Sequence, residues 1–214
     1  LHKAYNEWKL GPDKIEDVGF RALTDVGNAE RLALRQREND QYRIHYCDDV
    51  GWRYFTGTHW ERDRTSEIVR RTIGAAKLIY EEAHNCKDDD RQKALYAWAL
   101  KSQTSSRISA MIELCRAVPD ISVNHESWDR GRYTLNCRNG TLDLATLELF
   151  KHKASDLLTK CLDVDYQPDA TCPQWDKFLE RVLPNSETRA FVQRAVGYSL
   201  TASNEERCFF ILHG

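Results

Sequence analysis

The sequence predicts an α+β fold, mainly helical, with small antiparallel β elements near 42–61 and 133–150 and helices between and after them. Three observations carry that prediction. Aromatic and β-branched residues alternate from Tyr42 to Thr56 around the turn Asp48-Asp49-Val50-Gly51. Apolar residues recur at helical spacing from 63 to 118 and again after Thr171. Between those helical stretches, Asn139-Gly140 separates Leu135 from Leu142 and Leu144, as a tight turn separates two strands.

Taken in order, residues 1–22 read as an upstream linker or tail, punctuated by Gly11-Pro12. The stretch 23–120 reads as a hairpin with a helical part. Thr24 or Asp25 is placed to cap a short helix carrying Ala29, Leu32 and Ala33, with Arg31, Arg35 and Arg37 on its wet side. After the hairpin, His59-Trp60 starts a third short strand. One amphipathic helix is then expected from Asp63 to about Asn85, with Val69, Ile73, Ala76, Tyr80 and Ala83 as its apolar stripe. Asp88-Asp89-Asp90 suits the positive N-terminal end of the next helix. The polar run Ser102–Ser106 breaks that region into two helices, or kinks one.

Residues 121–170 form a short-strand section, in which Leu149-Phe150 adds a strand or edge. From 171 to 206 helices return. Thr171 and Gln174 have capping-box spacing around Pro173, and Ser186 is the expected cap of a second helix. Residues 207–214 close with Phe209-Phe210-Ile211-Leu212, a continuous apolar run of the kind found in strands buried on both faces.

Composition narrows function. The formal charge is −2, from 31 basic and 33 acidic residues, so attraction to nucleic acid requires a local patch. Such a patch is offered by Arg62, Arg64, Arg70, Arg71 and Lys77, with Trp52 or Trp60 as a stacking platform. The competing use of the same residues is structural: Tyr42, Trp52 and Trp60 suit the core of a small sheet, and basic residues suit a solvated helix face. Asp163-Val164-Asp165, with Asp143 as a third ligand, matches the carboxylates of a metal-dependent nucleotidyl transferase. Simple alternation in a strand places Asp163 and Asp165 on the solvent side equally well.

Seven cysteines are scattered with no C-x-x-C pair, which points to reduced thiols rather than a disulfide framework. His152, Cys161 and Cys172 lie in one region but lack the usual ligand spacing, so no metal site is expected. No run of 18 apolar residues and no signal-like start occurs, which suits a soluble, cytoplasmic protein.

An ordered set of motifs resembles a known family. The set is Asn139-Gly-Thr-Leu-Asp-Leu144, His152, Thr159, Asp165-Tyr-Gln-Pro-Asp-Ala170, Cys172-Pro-x-Trp175-x-x-Phe178-Leu179, Gly197-Tyr-Ser-Leu200 and the terminal apolar run. Thr24–Arg31 and Trp52–Trp60 match its opening. The chain resembles the N-terminal domain of poxvirus-, phage- and plasmid-type primase–helicases, the module that precedes a superfamily 3 helicase core. The resemblance covers about residues 24 to 214.

The resemblance implies an accessory domain of a replication protein whose complete form is a DNA-stimulated ATPase, hexameric through its helicase ring. Its implied partners are DNA and its own helicase and upstream domains, in a bacterial cell carrying a phage, prophage or plasmid. Gly214 would open the phosphate loop, after a first ATPase strand at 207–214. The lysine and Ser/Thr of G-x-x-x-x-G-K-[ST] are not in this sequence, so ATP and Mg²⁺ are expected of the full-length protein and not of this chain. A scaffold that sets ring assembly without touching DNA fits the same residues.

Overall fold

The computed structural model describes residues 21–211. The fold is α+β, and the chain divides into two compact units. One takes the chain to Thr56 and then Trp60–Ser127; the other takes Gly57–His59 and the chain from Trp128 onward.

The first unit begins with α1 (Asp25–Arg35), capped by Thr24, whose hydroxyl accepts from the Gly27 N–H at 3.1 Å. A small ladder joins β1 (Arg37–Glu38) to β2 (Gln41–Tyr42). The expected hairpin follows as β3 (Ile44–Cys47) and β4 (Gly51–Phe55), with Ile44 opposite Tyr54 and Tyr46 opposite Trp52. Then β5 (Trp60–Arg62) completes an antiparallel sheet in the order β3-β4-β5. Helices α2 (Glu67–Lys77), α3 (Ile79–Asn85), α4 (Asp89–Ser102) and α5 (Ser105–Cys115) complete the unit. The break between α4 and α5 falls where the polar run 102–106 predicts it. The main core gathers Leu32, Ile44, Ile68, Met111, Cys115 and Ile121, with Tyr42, Tyr46, Trp52 and Tyr54 packed against it.

Three expectations in this unit are corrected. The single helix over 63–85 is two helices meeting at Leu78, and it starts only at Glu67. Its buried face is Ile68, Thr72, Ala75 and Ala76, while Val69 and Ile73 are each 38% exposed. Thr72 turns the phase because its hydroxyl donates to the Ile68 carbonyl at 2.7 Å, so a polar residue sits in the core at no hydrogen-bonding cost. Arg31 is not on the wet side. Its guanidinium is buried, donating from Nε to Glu82 at 2.8 Å and from the other nitrogens to the Ala22 and Arg21 carbonyls.

The second unit holds an antiparallel sheet of β6 (Thr134–Cys137), β7 (Gly140–Asp143) and β8 (Leu149–Phe150). Helices α6 (Pro173–Val182) and α7 (Ser186–Ser199) follow. Pro173 occupies the first turn of α6 as expected, but no side chain caps that helix, so the Thr171–Gln174 capping box does not form. In α7 the cap is Asn185, which accepts from the Glu187 and Thr188 N–H groups at 2.8 and 3.1 Å, and Ser186 is already helical.

The expected ATPase strand is not formed in the described part of 207–214. Residues 207–211 are irregular, with Phe209 82% and Ile211 74% exposed. A strand buried on both faces needs sheet neighbours, and none of the described strands pairs with this segment. Gly214 lies outside the described residues. Among the described residues no helix is long and apolar enough to cross a membrane.

Candidate nucleic-acid interface

The basic residues singled out in the sequence collect on β5, the loop after it and the outer face of α2. Asp63 organises this corner. Its Oδ1 accepts from the Thr65 and Glu67 N–H groups at 3.1 and 2.9 Å, and its Oδ2 from Ile68 N–H at 2.9 Å. The formal cap position, Ser66, is left-handed (φ 63°) and makes no side-chain cap, so Asp63 takes over the open N–H groups of α2. Burial alone pushes the Asp63 carboxyl up. The donors from Ile68, Glu67 and Thr65 outweigh it, together with the Arg70 charge, and hold the group below the usual carboxylate range.

The remaining acids near the surface are also engaged. Glu67 accepts from Arg71 Nε at 2.9 Å and from Arg70 Nε at 3.0 Å, and the Arg71 hydrogen bond leads the causes that keep its carboxyl low. Glu61 accepts from the Tyr54 hydroxyl at 3.0 Å, a bond that raises the phenol above its ordinary value. In contrast, Arg62, Arg64 and Lys77 are exposed, and their side chains have no hydrogen-bond or ion-pair partner among the described residues. Three cations are therefore left without a paired side chain, Arg62 and Arg64 just before α2 and Lys77 at its far end.

Arg70 and Arg71 play different parts. Arg70 is anchored to Glu67 and to the Thr65 carbonyl at 2.7 Å but keeps an exposed guanidinium. Arg71 is half-buried, donating to Gln36 at 2.7 Å with its guanidinium 5.5 Å from the Tyr54 ring centroid. It braces the surface more than it offers charge to a ligand.

The two tryptophans separate sharply. Trp60 is fully buried, at 0% exposure, with its ring 4.6 Å from His45 and 5.7 Å from Phe55. It has no face to offer a base, and its place in the stacking platform is corrected to a core role. Trp52 is half-buried, edge-on to Tyr46 at 5.4 Å, and remains the aromatic candidate. Periodicity missed the apolar half of this surface: Val69 and Ile73 lie exposed on α2 among Arg70 and Lys77. The signal for it is the spacing of Ile68, Thr72, Ala75 and Ala76, which marks the opposite face as buried once threonine is admitted to the core.

The second candidate site is built differently. Arg138 donates from Nε and Nη2 to Asp165 at 2.9 and 3.1 Å and from Nη1 to Asp163 at 3.2 Å. The Arg138 hydrogen bond keeps the Asp165 carboxyl below its ordinary range. Asp143 caps its own turn, accepting from the Ala145 and Thr146 N–H groups. The D-x-D pair thus neutralises one guanidinium rather than converging with Asp143. His152, Cys161 and Cys172 do not gather into a ligand cluster among the described residues. His152 Nε2 lies instead 3.3 Å from the Arg138 carbonyl.

No curated protein matches the chain. A family model described as D5 N terminal like matches residues 29–184, well over half of the 214. That span begins inside α1 and runs to the end of α6, so it takes in the hairpin, the basic corner and the second sheet. The chain belongs to the D5 N-terminal-like family, the module found in primase–helicase proteins before the superfamily 3 helicase domain.

Proposed function

We propose that this domain is the accessory coupling module of a replicative DNA primase–helicase of phage or plasmid type, and that it contacts single-stranded or forked DNA. In this reading it links upstream primase or origin-binding functions to an ATP-driven hexameric ring, in the cytoplasm of the host cell. ATP and Mg²⁺ belong to the helicase domain of the full-length protein. The observation that carries the DNA contact is the set of exposed, unpaired side chains Arg62, Arg64 and Lys77 together with exposed Val69 and Ile73 on α2; half-buried Trp52, on the opposite face of the β3-β4-β5 sheet from Arg62, is the aromatic candidate. Cations of this kind track phosphates, and apolar or aromatic groups beside them receive bases.

The test is fluorescence anisotropy with labelled single-stranded and forked oligonucleotides across a salt series. The triple variant Arg62→Ala/Arg64→Ala/Lys77→Ala is expected to bind at least about tenfold more weakly at low salt. Unchanged affinity and salt dependence in that variant would remove this surface from consideration.

A second reading, a protein-contact scaffold that sets ring assembly without DNA contact, has its own support. No residue of α6 or α7 is buried, and Trp175, Phe178, Val182, Phe191 and Val196 present large apolar side chains to solvent. Absence of binding by the unaltered chain at low salt would favour it.

A further inference from the structure

The turn between β3 and β4 and the segment after Ile121 are drawn together by backbone pairing. Tyr46 N–H donates to the Ile121 carbonyl at 2.9 Å, and Val123 N–H donates to the Tyr46 carbonyl at 2.9 Å, which forms a parallel bridge between Tyr46 and Ser122. The hairpin turn is tight, with Val50 N–H donating to the Cys47 carbonyl at 3.1 Å and Gly51 at φ 82°. Beyond the bridge the chain coils into a 3₁₀ turn, His125–Ser127. As a result Cys47 at the end of β3, Asp49 in the turn and His125 in the coil converge, although 76 residues of sequence separate Asp49 from His125.

Their ligand atoms all lie within 4.8 Å of one another, with Asp49 Oδ2 and His125 Nδ1 4.0 Å apart. In a tetrahedral zinc site, bond lengths of about 2.0 to 2.3 Å put neighbouring donors roughly 3.3–3.7 Å apart. The gap is small, and the two side chains that would close it, Asp49 and His125, are both exposed and can rotate. Cys47 is buried and carries a free thiol, a fixed soft donor at the floor of the cluster.

We propose that Cys47, Asp49 and His125 form a zinc(II) site that ties the β3–β4 turn to the 121–127 segment. The donor set decides the metal. A thiolate and an imidazole disfavour Mg²⁺ and Ca²⁺, which take oxygen ligands, whereas sulfur, nitrogen and one carboxylate oxygen are the donors zinc uses. Three protein ligands leave a fourth position for water or a donor from outside. The bound ion would add a cross-link between two parts of the first unit already joined by backbone pairing and by the packing of Ile121 on the core. It would stabilise the fold by mass action, because the unfolded chain does not hold the three ligands together. The site is independent of the DNA surface, since it shares no residue with it.

The test uses the full 214-residue chain, reduced and stripped with a chelator, then titrated with zinc chloride against a chromophoric competitor. One equivalent of tight binding is expected, with a rise in the thermal midpoint and, on cobalt(II) substitution, a thiolate-to-cobalt charge-transfer band. His125→Ala and Asp49→Ala change only exposed side chains and are expected to remain folded by circular dichroism. Each should lose zinc affinity by about 100-fold or more, since even groups that merely orient a ligand are worth roughly 10–100-fold. Cys47→Ser should abolish the charge-transfer band. Failure of the unaltered chain to take up zinc would overturn the proposal. So would equal affinity in the folded His125→Ala variant, which would assign the binding to the other cysteines.

Discussion

Gly140 is a glycine because of what approaches it. A Cβ built there would sit 2.5 Å from the Phe150 carbonyl oxygen and 2.9 Å from the Leu149 side chain. The Asn-Gly dipeptide correctly marks a hairpin, yet the positive φ usually invoked for it is found at neither residue. Asn139 serves instead as a staple, its amide exchanging hydrogen bonds with the Tyr166 N–H and carbonyl, both at 2.9 Å. Gly140→Ala is expected to destabilise the chain by about 1–3 kcal/mol, because the clash is with backbone that must shift; urea denaturation would measure it. Asp63 supports a second prediction at this scale. Removing its carboxylate in Asp63→Ala leaves α2 without a cap and should cost about 0.5–2 kcal/mol at neutral pH. The folded carboxyl is held below its ordinary value of 3.8, so its contribution is complete above that pH and is lost as pH falls through the lower folded value. The stability difference between the two proteins should therefore be flat from pH 7 to about 4 and shrink below that, as acid titrations followed by circular dichroism would reveal.

At the scale of elements, the pair Arg31–Glu82 joins α1 to α3. Both side chains are almost wholly buried, with 1% and 4% of their surface exposed. Their value lies in being paired, since either charge left alone in that position is strongly unfavourable. Glu82→Ala should cost about 3–5 kcal/mol, whereas replacing both, as in Arg31→Met with Glu82→Leu, should cost far less. Chemical denaturation of the single and double variants separates these outcomes, and equal losses would show that packing rather than charge is at stake. Periodicity alone could not find this pair. A helix with arginines at 31 and 35 looks solvated until a carboxylate 51 residues away is known to face one of them. The same limit applies to α2, where periodicity put Val69 and Ile73 in the apolar stripe, while the buried face includes Thr72, whose hydroxyl is satisfied by the Ile68 carbonyl.

For the whole molecule, a net charge of −2 means that any attraction to DNA needs a local basic patch rather than the global field, and Arg62, Arg64 and Lys77 are the residues proposed for it. Each phosphate contact on single-stranded DNA contributes about 0.7 to the slope of log affinity against log salt. The triple alanine variant should accordingly flatten that slope by about 2, which the salt series in the anisotropy experiment measures directly. The sequence by itself determined the α+β class, both β regions, the helix break near 102–106 and the family. These rest on local signals: alternation, turn dipeptides, polar interruptions and ordered motifs, all contained within a few neighbouring residues. Only the tertiary structure decided that Trp60 is core, that Arg31 is paired, that Asp163 and Asp165 share Arg138, and that Cys47, Asp49 and His125 converge. In each case the deciding partner lies far along the chain or across a sheet, and burial and pairing are properties of what the folded chain brings alongside a residue, not of its neighbours in sequence.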